Sequence, residues 1–111
     1  MKVLEAGPPP REERPAPKIL HDEPNVRIIA FTLLPGQVIP PHRNDSTVIV
    51  TVTEGSGTFV GEDGESELRV GESAVYAPGE AHSIRAGAET LRFNALLAPR
   101  PHRWEPPGQG R

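Results

Sequence analysis

Eight residues, Ser46 to Thr53, alternate in a way that only an extended strand can use. The even positions are Ser46, Val48, Val50 and Val52, and the odd ones are Thr47, Ile49, Thr51 and Thr53. Side chains on a strand point to opposite faces in turn. The even face is the more apolar and is expected to point inward. Continuing that parity backwards places Asn44 and His42 on the same inner face. A buried polar group without a partner is costly, so two such groups at one end of a valine stripe call for a reason.

The stretch around this strand, Gly36 to Gly55, begins within the Pro35-Gly36 turn signal and ends at a glycine turn. The rest of the chain has the same punctuation. Val26 to Leu34 is β-branched and aromatic enough for a strand, after a short extended piece at Lys18 to His21 and a turn at Asp22 to Asn25. Gln37 to Pro41 runs extended into His42. Gly55 to Gly57 is expected as a loop, Thr58 to Val60 as a strand, Glu62 to Glu65 as a hairpin turn, and Ser66 to Val70 as its return. Ser73 to Ala77 is a short strand broken by Pro78-Gly79, and His82 shares an inward parity with Ile84. Leu91 to Ala98 is the last strand, with Leu91, Phe93, Ala95 and Leu97 on its apolar face. No segment has helical periodicity over ten or more residues. The expected class is all-β, a sandwich or barrel.

At 111 residues the chain is long enough for one domain. Its expected parts are a Pro-rich N-terminal arm at 1–17, a barrel at 18–99 and a Pro-rich tail at 100–111. The arm reads either as a disordered tail or as a strap laid across a neighbouring subunit. Trp104 is available to anchor the tail. The absence of cysteine excludes disulfides and thiolate metal sites. The scattered basic residues and the net charge of −3 leave no concentrated face for nucleic acid. No apolar run is long enough for a membrane helix, and MKVLEAGPPP turns to proline too early for a signal peptide, so a cytoplasmic location is expected.

The residues resemble a known family, the cupins, which are double-stranded β-helix (jelly-roll) barrels with two motifs. The first family motif is glycine, five residues, His-x-His, three or four residues, glutamate, six residues, glycine. Gly36, His42 and Gly55 fall in register, with Asn44 at the second histidine position and Val48 at the glutamate position. The second motif is glycine, five residues, Pro-x-Gly, two residues, histidine, three residues, asparagine. Gly71, Gly79 and His82 fall in register, with Ala77 for the proline and Ala86 for the asparagine. The resemblance spans Val26 to Ala98.

The resemblance implies a divalent metal held inside the barrel by three histidines and a glutamate. Carried over by position, His42 and His82 remain, Asn44 is a poorer ligand, and Val48 cannot ligate. The expected metal set is therefore His42, Asn44 and His82, for one divalent transition metal (Zn, Fe, Ni, Mn or Cu) at low occupancy. Without a metal, the two histidines would bond to each other, to Asn44 and to a water. Glu54 has inward parity but lies at the far end of the strand, and Asp45 would need a bulge to turn inward. His21 and His102 are expected at the surface, and Tyr76 and Ser83 as packing or surface residues.

Three functions are compatible with these residues. The first is a barrel that binds a small molecule, and loosely a metal, through His42, Asn44, Val48, Val50 and His82. The second is a metal-dependent oxygenase or isomerase with a non-standard His/His/Asn site. The third is a structural or regulatory homodimer with a closed pocket. Turnover is left open, no specific reaction is assigned, and a homodimer is expected because jelly-roll edge strands need covering.

Overall fold

A computed structural model of the chain describes residues 1–101. Among the described residues nine strands follow one another: β1 (Ala16–Glu23), β2 (Val26–Leu33), β3 (Val38–His42), β4 (Thr47–Glu54), β5 (Ser56–Gly61), β6 (Gly64–Arg69), β7 (Ser73–Tyr76), β8 (His82–Ala86) and β9 (Leu91–Ala98). They form a five-stranded sheet in the order β1-β2-β9-β4-β7 and a four-stranded sheet in the order β3-β8-β5-β6. Every strand pairing is antiparallel. Among the described residues no helix is long and apolar enough to cross a membrane.

The alternation expected for Ser46 to Thr53 is present. Ser46, Val48, Val50 and Val52 are all buried, while Ile49 and Thr53 are exposed. Leu91, Phe93, Ala95 and Leu97 of β9 are buried in the same way. Both sheets contribute to one apolar core, with Ile29, Phe31 and Leu33 from β2 meeting Ile39, Phe59, Leu68 and Ile84 from the opposite sheet. Phe93 lies at its centre. It stacks on its cross-strand partner Phe31 at 4.9 Å and receives Phe59 edge-on at 5.4 Å. Such pairs add roughly 0.5–1.5 kcal/mol beyond their buried area.

Two turns are tighter than expected. β1 extends over eight residues, which confines its turn to Pro24 and Asn25. Pro17 is tolerated there because β1 is an edge strand. Ser56 and Gly57 belong to β5, which leaves Gly55 alone at the β4–β5 corner. Gly55 has φ +71°, and a Cβ built on it would fall against the Thr90 carbonyl. Only glycine fits there.

The Pro-rich arm lies on the chain's own barrel. Pro8 and Pro15 are buried. The Pro8 carbonyl accepts from Thr32 Oγ1 at 2.7 Å and from Arg92 Nη1 at 3.0 Å. Gln37 Nε2 donates to the carbonyls of Arg11 and Glu12 at 2.7 and 3.2 Å. Proline-rich extended chain forms no internal hydrogen bonds, so its carbonyls are free to accept from strand side chains. Of the two expected forms of the arm, a disordered tail or a strap across a neighbouring subunit, the single chain shows neither: the arm packs on its own barrel. Trp104 and His102 lie outside the described residues.

Candidate functional site

The site forms where β3 ends and β8 begins. His42 and His82 are cross-strand partners, reached through a register shift between Ile39 and His42. Pro40 and Pro41 fill that shift, and neither has an N–H to give to the ladder. The two imidazoles meet edge to face, with centroids 4.2 Å apart and planes at 62°.

Each ring is held by a backbone carbonyl two residues before it. His42 Nδ1 is 3.0 Å from the Pro40 oxygen, and His82 Nδ1 is 3.0 Å from the Glu80 oxygen. A carbonyl can only accept, so each Nδ1 carries the hydrogen and each Nε2 keeps its lone pair. Neither Nε2 has a hydrogen-bond partner among the described residues. Burial pushes the pKa of both rings down, against a smaller opposing effect of the carbonyl contacts. His82 falls to about 4, burial being the larger cause and the neighbouring His42 the next. Both rings are neutral at pH 7, the form that can ligate a metal.

Tyr76 covers the other face of His82. Its ring stacks there at 4.4 Å with planes at 20°, and it pairs with Val48 across the β4–β7 ladder. Its hydroxyl is buried and has no hydrogen-bond partner among the described residues. Burial raises its pKa to about 12, with the Glu80 and Asp63 carboxylates adding to the effect, so the phenol stays protonated. The sequence marks Tyr76 only as a packing or surface residue and does not indicate its place against His82. Its inward parity with Ala74 on β7 was the available signal.

The loops around the pair are tied together. Glu80 accepts from the backbone N–H groups of Ala77 and Glu62 at 2.9 and 3.1 Å, which holds its carboxyl below the usual range. Glu62 accepts from the Ala81 N–H at 2.8 Å. Gly79, with φ +80°, donates its N–H to the Asn44 carbonyl at 2.7 Å. A cleft of about 570 Å³ opens over these loops, lined by Arg43, Glu62, Asp63 and residues 77–80. Its lining includes Arg43, next to His42 in sequence, and Glu80, two residues before His82, although neither histidine lines it.

Of the residues singled out from sequence, His42 and His82 come together. Asn44 differs from its expectation. The chain bends between β3 and β4, parity does not carry through the bend, and Asn44 Oδ1 accepts from the Ser46 N–H at 2.9 Å. Its oxygen is committed to the backbone rather than to the imidazoles. The histidines also do not bond to each other, since both Nδ1 atoms are taken by carbonyls. Val48 and Val50 are packed in the apolar core, Val48 one contact from His82 through Tyr76. Asp45 is exposed, and Glu54 pairs with Arg92 at 3.5 Å. His21 lies on β1 beside Lys2 and Glu23. Among the described residues no group of three or more His, Cys, Asp or Glu is placed to hold a metal.

A family model for the cupin domain matches residues 30–97, most of the barrel. The chain belongs to the cupin domain family. Solved cupin structures agree in fold. A RmlC-like cupin protein from Desulfovibrio desulfuricans is 27% identical, with a TM-score of 0.77 over 89% of this chain and 94% of that one. The protein TT1209 from Thermus thermophilus is 25% identical, with a TM-score of 0.78 over 82% and 89%. KdgF from a Halomonas species is 20% identical, with a TM-score of 0.75 over 89% and 87%, a likeness of fold alone. Among functionally curated proteins no significant match was found.

This cupin offers a metal two imidazole nitrogens. That donor set fits two positions of a divalent transition ion and leaves the others to water or to a ligand. The other two family positions are Asn44, whose oxygen accepts from the Ser46 N–H, and Val48, which has no donor atom.

Proposed function

We propose that this cupin is a binding protein with a two-histidine site, which takes a small molecule at the barrel mouth and holds a divalent transition metal weakly. The observation that carries the reading is the pair of free Nε2 atoms on His42 and His82, each ring fixed by its own carbonyl. Neutral, oriented imidazoles need no reorganisation before they bind. A site with two protein donors exchanges its metal readily, so occupancy follows the free metal concentration.

The neighbouring cleft is shallow and open to solvent. It carries one arginine and three carboxylates, Arg43 against Glu62, Asp63 and Glu80, so a neutral or cationic ligand is favoured over an anion. Titration of Zn²⁺ into untagged protein tests the metal part by calorimetry. One weak site is expected, absent in His42→Ala and in His82→Ala. Unchanged Zn²⁺ binding in both variants would contradict the assignment.

A second reading is favoured by the filled interior. Val48, Val50 and Val52 are 1–3% exposed and pack in the same core as Phe59 and Phe93. On that reading the barrel is a scaffold, and the histidine pair is a packing unit. Replacing both histidines by leucine separates the two. The scaffold reading expects no change in any binding property, and the binding reading expects the Zn²⁺ site to vanish.

A further inference from the structure

The β5–β6 hairpin and the loop between β7 and β8 meet at Gly61. Gly61 has no positive φ, so its backbone would accept other residues. Its missing side chain matters for space instead. A Cβ built on it would fall 2.8 Å from Glu80 Oε2, 3.3 Å from Asp63 Oδ1 and 3.4 Å from Tyr76 Cε1. Cε1 neighbours the carbon that carries the hydroxyl. Two carboxylates and the polar edge of a phenol therefore converge on one small space, and both carboxylates line the cleft. Tyr76 is 4% exposed, and its hydroxyl has no hydrogen-bond partner among the described residues. The arginine of the cleft is engaged elsewhere: Arg43 Nη1 donates to the Gly79 carbonyl at 3.0 Å and to Glu62 at 3.5 Å. Among the described residues neither Asp63 nor Glu80 forms an ion pair.

We propose that this corner of the cleft binds the primary ammonium group of a small amine, held by Asp63, Glu80 and the Tyr76 hydroxyl. The inference rests on the small-molecule part of the proposed function, which it narrows, and is independent of the metal part. An ammonium group has three N–H donors and no acceptor. The corner offers three acceptors. They are the Asp63 carboxylate, the phenol oxygen, and Glu80 Oε2, which already accepts from the Glu62 N–H at 3.1 Å and has a second lone pair. A buried hydroxyl without a partner is costly, and the amine gives it one. The Glu80 and Asp63 charges reach the phenol, where they add to the rise of its pKa, so a cation placed among the three is attracted by both. A metal ion suits the corner less well, because among the described residues no group of three or more His, Cys, Asp or Glu is placed to hold one. The body of the amine lies over Ala77, Pro78 and Gly79, the uncharged part of the lining.

Tyr76 is the only tyrosine of the chain, so tyrosine ring signals in NMR report on this corner alone. n-Butylammonium chloride is titrated into the full-length protein at pH 7 and constant ionic strength, and the Tyr76 ring and the Gly61 amide are followed. Saturable shifts of both are expected. Tetramethylammonium has the charge but no N–H, and n-butanol has the body but no charge, so neither should shift them. Asp63→Asn and Tyr76→Phe should each weaken n-butylammonium binding about tenfold, read at the Gly61 amide. Asp63 is exposed, and Tyr76→Phe keeps the ring on His82, so a melting curve for each confirms the fold before the titration. Equal shifts with tetramethylammonium, or unchanged affinity in either folded variant, would overturn the proposal. Binding of n-butanol in place of the amine would overturn it while leaving the cleft a small-molecule site. Binding of neither would overturn the proposal and the small-molecule reading together. Neither histidine lines the cleft, so Zn²⁺ binding should be the same in Asp63→Asn as in the native protein.

Discussion

His82 is an imidazole that the fold keeps neutral. Its folded value, about 4, lies below the unfolded value of roughly 6.5. Between these values the unfolded chain binds a proton that the folded chain does not. The folded state therefore has its full stability above about pH 6.5 and loses it as pH falls towards 4, by an amount on the order of 3 kcal/mol. Urea midpoints at pH 7 and pH 4.5 check this. The native protein should lose more between the two than His82→Leu does, and equal losses would contradict the burial argument. Tyr76 gives a second test at this scale. Its hydroxyl is buried without a partner, which costs about 1–3 kcal/mol. Tyr76→Phe keeps the ring on His82 and removes the orphan, so its melting temperature should rise or hold. A clear drop would mean that the hydroxyl has an acceptor. The pairing of the two histidines was legible in the motif spacing. The stacking of Tyr76 was not, because parity gives a face and not a neighbour.

At the level of strands, Ser46 to Thr53 could be read because one face of an antiparallel sheet is wet, which forces a period of two into the sequence. The same rule failed at Asn44. A strand rule holds only within a strand, and the chain bends there. Asparagine in such a bend bonds its own backbone two residues on, as Asn44 does with Ser46. Asn44→Ala should cost about 1 kcal/mol in denaturant unfolding and leave Zn²⁺ binding unchanged. Loss of Zn²⁺ binding in that variant would restore Asn44 as a ligand. Phe93 joins the two sheets, and Phe93→Ala should cost roughly 3–5 kcal/mol. A loss below about 1 kcal/mol would show that the core does not depend on it. The arm was harder to read than any strand. Its composition indicates extended chain, but the donors that hold it, Thr32, Gln37 and Arg92, are spread over 60 positions of sequence.

For the molecule as a whole, the cupin fold and the usual cupin ligand set separate. The barrel, its order of strands and its two histidines are present. The other ligand positions have become a turn cap and a core valine. What remains is a pair of oriented imidazoles where β3 ends and β8 begins, each with a free Nε2. Long-range proton–nitrogen correlation NMR on uniformly labelled protein reads this directly at pH 7. Both rings should be neutral with the proton on Nδ1, and added Zn²⁺ should shift the Nε2 resonances of His42 and His82 together. Protons on Nε2, or Nε2 resonances that ignore Zn²⁺, would contradict the account.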